Sequence, residues 1–73
     1  MIVDEIRRLR EAIPFRPYKL VMADGEELVI ERRSGIGIGP EGRYLVYPLA
    51  AGGYQLVNPA DVKAAVVATE TAA

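Results

Sequence analysis

The feature that most constrains this chain is a change of hydrophobic period across a pair of prolines. Before Pro14 the apolar residues Ile2, Ile6, Leu9 and Ile13 recur at helical spacing and form one stripe, with Arg7, Arg8, Arg10 and Glu11 away from it. After Pro17 the period is two: Tyr18, Leu20 and Met22 alternate with Lys19, Val21 and Ala23. Pro14 and Pro17 lack amide donors, and Pro14 disfavours the α conformation at Ile13, so the helix is expected over about residues 3–12. Asp4 and Glu5 sit near its positive end and the arginines near its negative end, which suits the macrodipole. Downstream of Pro17 strands and turns dominate. The expected class is therefore α+β, mostly β: an N-terminal helix capping a strongly bent antiparallel sheet of four or five strands, or a small five-stranded barrel.

Turn chemistry sets the registers. A three-residue loop Ala23-Asp24-Gly25, with Gly25 left-handed, pairs Leu20 with Leu28 and Tyr18 with Ile30; a two-residue turn would put Leu28 and Ile30 on the wet face. Arg32-Arg33-Ser34-Gly35 is a bend before a short strand, Ile36 to Ile38. A three-residue loop Pro40-Glu41-Gly42 then sets Ile38 opposite Tyr44 and Ile36 opposite Val46. Tyr44 to Leu49 and Tyr54 to Val57 are the next strands, and Asn58-Pro59-Ala60-Asp61 carries the marks of a capped helical turn. Val62 to Ala68 is read as a strand, with a helix left open by Ala64-Ala65. The chain is one domain, 1–73, with the sheet over about 18–68 and a frayed tail at 69–73. Its expected core is Tyr18, Leu20, Met22, Leu28, Ile30, Ile36, Ile38, Val46 and Leu56, with Ile6 and Leu9 packed on it.

Composition excludes several functions. Without Cys or His there is no disulfide and no ordinary zinc site. One Ser, at position 34, and two Thr, at 69 and 71, leave no nucleophile with its base. Lys19 and Lys63 are isolated, and the adjacent Glu26 and Glu27 point to opposite faces of a strand. No catalytic residue, cofactor, metal or small-molecule substrate is expected. Gly37-Ile38-Gly39-Pro40-Glu41-Gly42 matches the dinucleotide pattern, but it leads into the strand Arg43-Tyr44-Leu45-Val46-Tyr47 where that pattern requires a helix. The longest apolar stretch, Tyr44 to Ala51, is too short for a membrane span, and the N-terminus has no basic segment followed by an apolar run. A cytoplasmic protein is expected.

The order of elements, a helix, four closely spaced strands, a one-turn helix and a last strand, is similar to the Sm-like and SH3-like small barrels. More specifically, Ile13-Pro14-Phe15-Arg16-Pro17-Tyr18, the Asp24-Gly25 turn, the Pro40-Glu41-Gly42-Arg43 turn and Gly52-Gly53-Tyr54 resemble a group of short uncharacterised bacterial proteins that carry a Pro-Phe-Arg-Pro-aromatic segment before the first strand. The likeness spans residues 2 to about 66. It implies the architecture, and neither an activity nor a cofactor.

Two partner classes follow. Val21, Val29, Leu45, Tyr47 and Leu49 exceed what one buried sheet face needs, and a chain this short without a staple gains from covering them. A non-enzymatic module for protein–protein interaction or self-assembly, a homo-oligomer, is the favoured expectation. The alternative is RNA or DNA binding of the Sm-like kind through Arg7, Arg8, Arg10, Arg16, Arg32 and Arg33. Against it stand the net charge of -1 and a bend with no Asn or Asp beside its arginines.

Overall fold

The structure, a computed structural model, describes residues 2–67. Ala68 and the tail expected to fray at 69–73 lie outside the described residues. The order is α1 (Ile2–Glu11), β1 (Tyr18–Met22), β2 (Glu27–Ile30), β3 (Gly37–Ile38), β4 (Leu45–Pro48), β5 (Tyr54–Val57) and β6 (Val62–Val67). Short 3₁₀ turns lie at Arg33–Gly35, Pro40–Gly42 and Pro59–Asp61. The class is α+β, mostly β. The strands divide into two three-stranded antiparallel sheets, ordered β2-β1-β6 and β3-β4-β5. Among the described residues there are six strands where four or five were expected, and the five-stranded barrel is corrected, since no closed barrel forms.

Two local features separate the sheets. The 3₁₀ turn at Arg33–Gly35 interrupts the run from β2 to β3. Pro48 then limits β3. The Gly39 amide donates to the Tyr44 carbonyl at 2.8 Å, so the next hydrogen-bonded pair is Gly37 with Val46. One step further the partner would be Pro48, which has no N–H, and the ladder stops.

The first hairpin has the expected register, Tyr18 opposite Ile30 and Leu20 opposite Leu28. Its loop closes with the Met22 amide on the Glu26 carbonyl at 2.7 Å, and Gly25 sits at φ 93°, where a side chain would be strained. The second hairpin corrects the expectation by one residue. Ile38 faces Leu45 and Gly37 faces Val46, because the loop holds four residues, Pro40 to Arg43. Glu41 joins Gly42 in the left-handed region, with φ of 58° and 69°. That tight turn also lets α1 approach: a Cβ on Gly42 would lie 3.0 Å from Val3 Cγ1.

A slip of one residue exchanges the two faces of a strand. Leu45 and Val57 therefore join the core, while Val46 is half-buried and Leu56 is 69% exposed. The core cluster is Ile6, Tyr18, Leu20, Met22, Leu28, Ile30, Ile36, Leu45, Val57 and Val62, with Leu9, Phe15, Ile38 and Tyr47 partly buried against it. On α1 the buried residues are Val3 and Ile6; Ile13 lies past the helix end and is 91% exposed. The Asn58 carboxamide accepts the Ala60 amide at 2.9 Å, capping the turn before β6. β6 is a strand, as read, and pairs with β1 from Tyr18–Val67 to Met22–Val62.

Tyr18 has its ring in the core, and its buried hydroxyl has no protein partner among the described residues. Burial pushes its pKa above the ordinary tyrosine value, with the Arg10 charge opposing. A folded state that holds this proton more tightly than the unfolded chain keeps its full stability below pH about 10 and loses it as the pH rises further. Tyr18→Phe should therefore decline less between pH 9 and 11 in urea titrations, at unchanged or up to about 1 kcal/mol greater stability near pH 7. Parallel alkaline declines in the two proteins would contradict this reading.

Candidate interaction surface

β2 pairs only with β1, so its other edge is free. With hydrogen-bonded pairs at Met22–Glu26 and every second position after it, the backbone groups of Val29 point away from β1. The Tyr47 hydroxyl, reaching from β4, donates to the Val29 carbonyl at 3.0 Å. It occupies the position that a neighbouring strand's amide would fill, and so links the two sheets. Beside this contact lies a groove of about 440 Å³, lined by Val29, Glu31, Arg32, Ser34, Tyr47 and Leu49 among others.

Three of the five residues expected at an interface meet in this groove: Val29 at 53% exposure, Leu49 at 42%, and the half-buried Tyr47. Val21 stands half-buried on the outer face of β1, opposite Glu27 and Ala64, and does not line the groove. Leu45 is a correction: it is wholly buried, because the four-residue loop turns it inward.

The expected basic patch divides. Arg10 Nε donates to the Ile36 carbonyl at 3.1 Å. Arg33 donates to two carbonyls at the end of α1, Nε to Arg10 at 2.9 Å and Nη2 to Ala12 at 2.6 Å, and its guanidinium lies 5.7 Å from the Phe15 ring centre. Arg7 pairs with Asp4 at 3.5 Å. The side chains of Arg8, Arg16 and Arg32 are left without an ion pair or hydrogen bond among the described residues. Residue spacing did not reveal the role of Arg33, although one sign was present: no glycine follows α1 to cap its carbonyls, so donors must come from elsewhere.

A second cleft, of about 380 Å³, lies between the tip of the first hairpin and β5, with Asp24, Glu26, Asp61, Asn58 and Leu56 on its walls. Asp24 already accepts the Glu26 amide at 2.9 Å. Among the described residues no three Asp, Glu, His or Cys side chains are grouped to hold a metal. The glycines from 37 to 42 belong to the β3–β4 hairpin, with no helix beyond them to receive a pyrophosphate. No described helix is long and apolar enough to cross a membrane.

No protein-family model, curated protein or solved structure matches the chain.

Proposed function

We propose that this chain is a small non-enzymatic binding module that works through protein contacts, by self-assembly or with another protein. The carrying observation is the convergence of Val29, Tyr47 and Leu49 on one groove beside β2, an outer strand of its sheet. Strand edges and exposed apolar clusters are the surfaces on which β domains add a partner. An architecture of the Sm-like or SH3-like kind is part of the proposal. It is supported by the 3₁₀ turn before β6 and by the return of β6 to pair with β1.

Nucleic-acid binding is the second reading, and Arg32, unpartnered in the groove wall, favours it. The engagement of Arg10 and Arg33 with backbone carbonyls leaves fewer of their N–H donors free for phosphate. One paired experiment separates the readings. Filter retention of pooled RNA and single-stranded DNA is measured at two salt concentrations for the wild type and Arg32→Ala, and light scattering follows the mass of the wild type as concentration rises. A protein module shows no salt-sensitive retention, and a self-assembling one rises above the 8.0 kDa of one chain. Retention that falls steeply with salt and weakens in Arg32→Ala overturns the proposal. Arg33→Ala is unsuited to this test, since it also uncaps α1.

A further inference from the structure

The two sheets have four outer strands, and three of their edges are protected. β2 is bordered by Glu27 and Glu31, with the Tyr47 hydroxyl on Val29. β6 carries Lys63 and has α1 packed against it. β3 is two residues long and lies between 3₁₀ turns. Charge, shortness and cover are the usual devices against edge-to-edge pairing. β5, Tyr54-Gln55-Leu56-Val57, has none of them. Residues 44–60 contain no charged side chain at all, in a chain where 26% of residues are charged.

The free backbone groups of β5 can be assigned. The Leu49 amide donates to the Gly53 carbonyl at 3.0 Å, so the hydrogen-bonded pairs with β4 fall at Tyr47–Gln55 and Leu45–Val57. The N–H and C=O of Tyr54 and Leu56 therefore point away from the sheet. On either side the chain is already engaged: Gly52 donates to Leu49, and Asn58 accepts from Asp61. The outer face of the same strand presents Tyr54 at 72% exposure and Leu56 at 69%, next to Pro48 and Val46 of β4.

From this geometry we infer that β5 is a self-pairing edge, which joins β5 of a second copy antiparallel about a two-fold axis through Gln55. The inference rests on the proposal of protein contacts and names the partner and the strand. Only this register uses every free group. Tyr54 exchanges two hydrogen bonds with Leu56 of the second copy, and Leu56 exchanges two with its Tyr54. The sheets join into one of six strands, β3-β4-β5 and its symmetry mate. On the outer face Tyr54 lies directly opposite Leu56 of the other copy, an aromatic–aliphatic cross-strand pair that covers the two most exposed large hydrophobic residues of the sheet. Residues 44–60 bring no charge of their own to the seam, and the carboxylates of Asp24, Glu26 and Asp61 stand on the walls of the cleft beside β5.

The test uses the lack of cysteine. In Gln55→Cys the two thiols fall at a non-hydrogen-bonded pair with Cα atoms about 4.5 Å apart, within reach of a disulfide. Under mild oxidation this variant should form a two-chain species on a non-reducing gel at least about tenfold faster than Val29→Cys, placed on the protected edge of β2. Leu56→Lys changes an exposed position, and an unchanged circular dichroism spectrum checks its fold. It should raise the dimer dissociation constant at least about tenfold in light scattering from about 10 µM to 1 mM, since an edge this short makes a small interface. Cross-linking of Gln55→Cys no faster than Val29→Cys, or a mass growing past two chains, overturns the β5 pairing. If the mass still rises above one chain in that case, the self-assembly reading survives through another surface. A mass of one chain throughout the range defeats both.

Discussion

Leu20→Ala is expected to destabilise the fold by about 3 to 4 kcal/mol, the middle of the range for a buried leucine. Leu20 is fully buried at the middle of β1, the central strand of its sheet, between Leu28 on β2 and Ala65 on β6. Ala65 is too small to fill the space left behind, and neighbours fixed in two ladders cannot close around it. A core in a chain of this size supplies only about 3 to 5 kcal/mol, so a large fraction of the variant should be unfolded at 25 °C. Urea denaturation followed by circular dichroism measures this, and Leu20→Met, with a cost of about 1 kcal/mol, shows that volume is the cause. A loss below about 1 kcal/mol for the alanine variant would place the centre of the core elsewhere.

The second large effect is a contrast between two leucines eleven residues apart. Leu45→Ala should cost about 3 kcal/mol and Leu56→Ala less than about 0.5 in dilute protein, because Leu45 is wholly buried and Leu56 stands in solvent. The register read from the sequence alone predicts the reverse. Comparable losses at both positions, or a larger one at Leu56, would return the second hairpin to a three-residue loop.

The difference between the two hairpins shows what local chemistry can specify. Asp24-Gly25 admits two loop lengths, and the apolar residues at Leu28 and Ile30 choose between them, because the solvent side carries Lys19 and Glu27, paired at 3.1 Å. Tyr44 to Leu49 offers no such contrast. Every residue there is apolar, so either parity buries something acceptable, and a left-handed Glu41, uncommon for a residue with a Cβ, set the outcome. β6 was legible only through its partner: Ala64 and Ala65 suit a helix by propensity, yet Ala65 lies beside Leu9 of α1, where a small side chain leaves room for the helix. Of the candidate surface, the surplus of apolar residues was visible in sequence. The engagement of Arg33 was not, since its partners at Arg10 and Ala12 are distant in the chain.

The pairing of β1 with β6 also bears on how the chain reaches this structure. Tyr18 meets Val67 and Leu20 meets Ala65, so the central strand of the first sheet acquires its second neighbour only after the whole of β2 to β5 has been laid down. The β1–β2, β3–β4 and β4–β5 hairpins close locally and form within microseconds, whereas joining β1 to β6 requires closing a loop that spans most of the chain. During synthesis the β1–β2 hairpin must therefore wait, with one side of its central strand unpaired, until β6 leaves the ribosome. Folding should be limited by that last closure, and a substitution at Ala65 should slow it more than one at the Asp24-Gly25 turn.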